Sequence, residues 1–145
     1  MSAKLTEIFP AVLYETAIVW RHKLDKRLKP LGLSQTKWRA LLHLSLAKAP
    51  MTQTELAISV GIEGPTLTGL LDRLAKDGWI ERHDVPHDRR SKTVHLTAKS
   101  QETLAQIYAI GNQLSSELLS IIPEADIKHC IDVIQKIKAR AELLS

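Results

Sequence analysis

Residues 61–97 read GIEGPTLTGLLDRLAKDGWIERHDVPHDRRSKTVHLT, and two features of this stretch decide the fold. The first is the spacing of Leu67, Leu70, Leu71 and Leu74, which puts four leucines on one face of a helix. Gly61 precedes that helix and tolerates the positive φ at which two short helices cross steeply. Pro65 suits its first turn, where a missing N–H is no loss, and Gly78 stops it. The second feature is a pair of strand-like runs between Trp79 and Thr97, joined by a loop that carries Asp88, Arg89 and Arg90. Two adjacent guanidiniums at a hairpin tip cannot be core, because an unpaired buried charge costs several kcal/mol. They point outward, where the rigid donor fork of arginine suits phosphates and groove edges. A hairpin of this kind directly after a helix–turn–helix pattern reads as a wing gripping DNA beside a recognition helix.

Upstream, Thr52-Gln-Thr-Glu55 matches the capping box and starts a short helix to Val60. Ala57 within it is small where the two helices approach most closely. Ser34 is an N-cap for a helix through about residue 47, with Trp38, Leu41, Leu42 and Leu46 on one side and breaks at Pro30, Gly32 and Pro50. Residues 5–29 form an apolar-rich helical pattern through Leu5, Ile8, Phe9, Val12, Leu13, Leu24 and Leu28. Downstream, Thr97 opens a long helix carrying Leu104, Ile107, Tyr108, Ile110, Leu114, Leu118 and Leu119, which Pro123 interrupts. The last helix places Ile127, Cys130, Ile131, Ile134, Ile137 and Ala141 at steps of three or four. The expected architecture is mainly α with a small β-hairpin, one domain over residues 1–145. Residues 33–99 form the winged helix-turn-helix, and residues 1–32 and 100–145 supply N- and C-terminal dimerisation helices. Such long amphipathic arms cannot bury their stripes against so small a centre, so a second copy of the chain is the expected partner.

Of the 145 residues 44% are hydrophobic and 25% charged, the balance of a soluble globular chain, and the 4% aromatic share predicts an aliphatic core. The start, MSAKLTEIF, lacks the apolar run of a secretory signal, and no stretch nears the roughly 18 apolar residues of a spanning helix, so a cytoplasmic location without a membrane partner is expected. The single cysteine excludes an intrachain disulfide framework. Cys130 lies on the apolar stripe of the last helix and is expected to be a small buried hydrophobe. The net charge of +4 hints at a polyanionic partner, but its distribution does not locate one. Residues 1–49 hold nine Lys/Arg against three Asp/Glu, residues 50–100 seven of each, and residues 101–145 four against six. Local placement of arginines and helix N-termini must therefore do the binding.

No enzyme is expected, since nucleophile–base spacings, phosphate-cradling glycine loops and paired catalytic carboxylates are missing, and Asp84, His87 and Asp88 sit on an exposed loop. No cofactor and no metal is expected either. His129 and Cys130 are adjacent on a helix, no HxxxH or CxxC occurs, and the strand–loop–strand spacing of His83, His87 and His95 is weak. Those wing histidines would add positive charge below about pH 6.5.

Residues 61–97 resemble the winged helix–turn–helix of MarR-type transcription regulators, and within them the SlyA group. The resemblance is carried by Gly61-Ile62-Glu63 with Pro65-Thr66-Leu67, by Leu71-Asp72-Arg73-Leu74, by Gly78-Trp79-Ile80 at the first strand, and by Asp88-Arg89-Arg90-Ser91 before the second. The earlier run from Leu33 to Arg39 is similar to the start of the second helix in that group. The resemblance implies a homodimer on double-stranded DNA, its outer helices intertwined and its two winged modules on a pseudo-palindromic operator. It also implies a repressor, as many members are, released by a small aromatic acid effector.

On that resemblance the N-terminal half of the recognition helix enters the major groove. Thr66 and Thr68 there donate to phosphate or a base edge, their methyls suiting a thymine methyl, or serve only in capping and solvation. Gly69 departs from the basic residue that relatives tend to carry. Arg73 then takes over that contact or pairs with Asp77 four residues on. In the wing, the D-x-R pattern of relatives falls on Asp88 and Arg90, with Asp88 orienting Arg90 into a narrow minor groove whose negative potential attracts it. Arg89 is the neighbouring candidate, and Ser91 and Lys92 are lesser phosphate contacts. Effectors in the family sit between the dimerisation helices and the winged module, which places Tyr14, Ile18, His22, Trp38, Arg39 and His43 near one. An aromatic wall beside a cation suits an aryl carboxylate. The competing reading is a winged-helix protein-interaction module whose wing binds an acidic protein partner.

Overall fold

The structure, a computed structural model, describes residues 1–145, with the side chain of Arg89 outside the description. Among the described residues the elements run α1 (Ala3–Leu28), a 3-10 turn (Lys29–Leu31), α2 (Gln35–Leu46), β1 (Met51–Thr52), α3 (Gln53–Val60), α4 (Gly64–Lys76), β2 (Ile80–Val85), β3 (Asp88–Leu96), α5 (Ala98–Leu119) and α6 (Glu124–Leu143). The chain divides into two compact units, Met1–Ile110 and Gly111–Ser145. No described helix is long and apolar enough to cross a membrane.

In the first unit the caps are those the sequence specifies. Ser34 accepts from the Lys37 N–H and Thr52 from the Glu55 N–H, each satisfying a donor that the helix leaves open. The Glu55 carboxylate accepts from the Thr52 hydroxyl at 3.1 Å. Gly61, at φ 77°, turns α3 into α4, and the N–H groups of Gly61 and Ile62 both return to the Ala57 carbonyl. That closed turn fixes the angle at which α4 leaves, and it buries Leu67, Leu70, Leu71 and Leu74. They join Leu28, Leu33, Trp38, Leu41, Leu56, Val60, Ile80, Val94, Leu104 and Ile107 in one core that is aliphatic except for Trp38. Trp38 donates its indole N–H to the Asp25 carboxylate at 3.1 Å, so its one polar atom is satisfied on entering the core.

Gly69 lies on α4, and a Cβ there would meet only the Arg73 guanidinium at 3.7 Å, an ordinary contact. Gly69→Ala should therefore raise the unfolding free energy by about 1 kcal/mol, the helix-propensity difference. Urea denaturation of the two proteins measures it, and an equal or lower midpoint would contradict the expectation.

The sheet is antiparallel in the order β1-β3-β2, with Met51 opposite Val94 and Ile80 opposite Leu96. Ile80 and Val94 turn the sheet's inner face into the core. The two-residue strand β1 is not foreseen by the sequence pattern, because two residues carry no alternation to detect. The hairpin corrects the expected loop. Pro86 and His87 alone make the turn, while Asp88 to Arg90 belong to β3. Proline presets the first turn position and His87 takes up φ 69°, so two residues suffice to reverse the chain. Thr97 closes the base of the hairpin, its hydroxyl reaching the carbonyls of Gly78 at 2.6 Å and Trp79 at 3.2 Å.

The second unit holds the end of α5 and all of α6. Pro123 is the N-cap residue of α6, and Lys128–Glu124 and Lys136–Asp132 form pairs one turn apart along it. Cys130 is exposed, against the expectation of burial. Its neighbours Ile131, Ile134 and Ile137 are exposed in the single chain as well, so the apolar stripe is present as a stripe but is not interior.

Candidate nucleic-acid interface

The N-terminal half of α4 presents Glu63, Gly64, Pro65, Thr66 and Thr68 to solvent while Leu67 turns inward. Thr68 donates its hydroxyl to the Gly64 carbonyl at 3.0 Å, so it faces outward with its methyl and lone pairs rather than with a free proton. Arg73 does not pair with Asp77. Asp77 lies 3.7 Å from the Lys37 ammonium instead, and the Arg73 guanidinium folds back over Gly69.

In the wing, Asp88 organises the start of β3. One carboxylate oxygen accepts from the Arg90 backbone N–H at 3.0 Å and the other from the Ser91 hydroxyl at 2.9 Å. The Arg90 N–H, with the Ser91 hydroxyl next, holds the Asp88 carboxyl below the usual aspartate range. Asp88 thus fixes the backbone from which Arg90 projects, and the Arg90 side chain is exposed. Lys92 bonds Asp84 directly across the hairpin and lowers the Asp84 carboxyl in the same direction. The Arg89 side chain, also a sequence candidate, lies outside the described residues.

Both aspartates have folded values below the ordinary 3.8. Their contribution to holding the wing is complete above that value and is lost as pH falls through the depressed ones. The side-chain carboxyl carbon resonance of Asp88 should therefore titrate with a midpoint below the ordinary aspartate value. A midpoint at or above the ordinary value would show that the Arg90 N–H and the Ser91 hydroxyl do not hold it.

Arg82 is a residue of this face that the sequence pattern does not single out. It reaches the Asp72 carboxylate of α4 at 2.7 Å and so ties the wing to the recognition helix. A signal for it exists, since it follows Ile80 by two residues and shares the helix-facing side of β2. Arg82, Arg90, Lys92 and Ser91 line a groove of about 300 Å³ together with Thr52, Gln53 and Thr54 of the α3 start and Thr68 of α4. Three cations and five hydroxyl- or amide-bearing side chains converge there, and no acidic residue is among the lining side chains.

A family model for the MarR family matches residues 31–91. The solved transcriptional regulator PA3341 is 43% identical, with 92% of this chain and 98% of that one covered and a TM-score of 0.84. The chain belongs to the MarR family of transcriptional regulators. A MarR-family regulator from Silicibacter pomeroyi DSS superposes at a TM-score of 0.79 with 27% identity, covering 94% of this chain and 90% of that one. Wild-type MarR from E. coli does so at 0.77 with 25% identity, covering 88% and 95%. As a MarR-family member the chain is a DNA-binding regulator and not an enzyme.

The effector candidates of this MarR-family chain fall into separate places. Tyr14, Ile18 and His22 follow one another at four-residue steps on the open face of α1. Trp38 is in the core. Arg39 and His43 come together against α3: Arg39 donates to the Val60 carbonyl at 2.9 Å, and His43 Nδ1 meets the Ser59 hydroxyl at 2.7 Å. Burial, then the charge of Arg39, lowers the His43 pKa from 6.5, and burial, then Arg21, lowers that of Arg39. In the wing, His83 and His95 stack with ring centroids 4.0 Å apart, while His87 sits in the turn. Among the described residues no group of three or more His, Cys, Asp or Glu is placed to hold a metal ion.

Proposed function

We propose that the chain is a cytoplasmic, SlyA-like repressor that binds a pseudo-palindromic operator as a homodimer. The N-terminal half of α4 lies in the major groove, with Thr66, Thr68 and Arg73 as its contacts, and Arg90 enters the adjacent minor groove beside Arg89. The supporting observation is the groove between α3, α4 and the wing, which Arg82, Arg90 and Lys92 line without an acidic side chain and where the exposed Arg90 and Thr54 are of the kind that position a phosphate backbone. Exposed Leu5, Ile8, Phe9 and Val12 on α1, and Ile131, Ile134 and Ile137 on α6, support pairing of the outer helices.

A footprint on the DNA upstream of its own coding region tests this. Two protected half-sites about one helical turn apart, with affinity falling steeply as salt rises, are expected. A monomer in solution that is indifferent to duplex DNA at low salt would refute it. An acidic protein partner would give no footprint.

Release by a small aromatic carboxylate is the second part of the proposal. Arg21 and Arg39 oppose one another beside His43, and an anion would relieve that opposition. Its aromatic ring would lie toward Tyr14, Ile18 and His22 on α1, Trp38 being enclosed in the core. Adding salicylate to the footprint should weaken protection, and protection that persists would remove this part alone.

A further inference from the structure

We propose that Glu63 is a specificity-determining residue that accepts a hydrogen bond from the exocyclic amino group of a cytosine in the major groove. This rests on the placement of α4 in that groove. Glu63 is the N-cap residue of α4, yet its side chain makes no capping hydrogen bond. It is exposed, and among the described residues its carboxylate has no ion-pair or hydrogen-bond partner. Other acids of the winged module are engaged: Glu55 with Thr52, Asp72 with Arg82, Asp77 with Lys37, Asp84 with Lys92 and Asp88 with the Arg90 N–H. Glu63 borders an open cleft of about 530 Å³ at the elbow of α3 and α4, beside Gln53, Thr54 and Thr68.

From Glu63 to Asp72 the recognition helix carries no cation, and Arg73 is the first. The leading end of the reading head is therefore anionic. A carboxylate carried toward a polyanion lowers affinity for every sequence alike unless a base rewards it. The rewarding base must present a donor, because a carboxylate only accepts. In the major groove guanine presents two acceptors and thymine an acceptor with a methyl group. Adenine presents its amino group beside the N7 acceptor, which would face the second carboxylate oxygen. Cytosine presents its amino group without an adjacent acceptor of its own. The chemistry singles out cytosine.

The test compares the wild type with Glu63→Ala and Glu63→Gln on a pool of duplexes randomised through both half-sites, sequencing the bound fraction. The wild type should favour cytosine by about tenfold at one position in each half-site. Glu63→Ala should lose the preference at that position and keep the others, while Glu63→Gln should turn it toward adenine, which glutamine contacts through N6 and N7. Because the side chain makes no capping hydrogen bond, both variants should stay folded, losing at most the small favourable interaction of a carboxylate with the helix N-terminus. Unchanged base preferences in Glu63→Ala, with affinity raised on all sequences equally, would overturn the proposal and leave only phosphate repulsion. A wild type that retains no duplex at all would instead refute the placement of α4 on DNA, and the inference with it.

Discussion

Leu71→Ala should lower the unfolding free energy by about 2–5 kcal/mol, the range for emptying a packed leucine site. Leu71 has 0% of its surface exposed and lies between Leu67, Leu70 and Leu74 on the inward face of α4. The removed atoms lose their transfer energy, and the remaining void keeps its cost because α4 is pinned at both ends. Gly61 fixes its start and Gly78, at φ 81°, its finish. A loss of that size consumes a large share of the roughly 5–15 kcal/mol that holds a domain together. Urea denaturation measures it, with Leu71→Met, close in volume, as the comparison expected to cost less than about 1.5 kcal/mol. An alanine variant with the wild-type midpoint would mean that α4 is not seated as described.

Arg90→Ala should leave stability unchanged and weaken operator binding about tenfold or more, about 1.4 kcal/mol. The backbone N–H of Arg90, not its guanidinium, holds the start of β3 to Asp88, and alanine keeps that N–H. The substitution therefore removes the projecting cation and little else. The salt dependence should flatten as well, its slope falling by about one unit if the guanidinium neutralises one phosphate. Lys92→Ala should cost less, because the Lys92 ammonium is already paired with Asp84. Wild-type affinity of Arg90→Ala at physiological salt would take Arg90 out of the mechanism.

How far the sequence announces this molecule depends on the range over which each signal acts. Caps and turns are local, so Ser34, Thr52, Gly61 and Gly78 are legible from side-chain chemistry alone. The leucine face of α4 is legible because its period repeats. Strand β1 is not, because it exists only through its pairing with β3. The location of Asp88 and Arg90 on the strand escapes notice because a two-residue turn with a left-handed histidine has no strong signature. The strand alternation from Ile80 places Arg82 on the inner side of β2, but its partner Asp72, ten residues earlier on another element, is not legible in the sequence. Cys130 sits on a periodic stripe, and periodicity reports which residues share a face, not what covers it. The polar run from His87 to Thr93 can be identified as outward, but its division into paired and free groups depends on how the strands register.

The wing is tethered over its root half: Thr97 clasps its base, β1 pairs with Thr93 and Val94, and Arg82 ties its inner side to Asp72. Its root is consequently a stiff prong rather than a swinging finger, so on the proposed reading prong and helix meet DNA as one tool of fixed gauge. On the same reading, a signal that dislodges two such tools alters the stride between them, since bending at the root is closed to either.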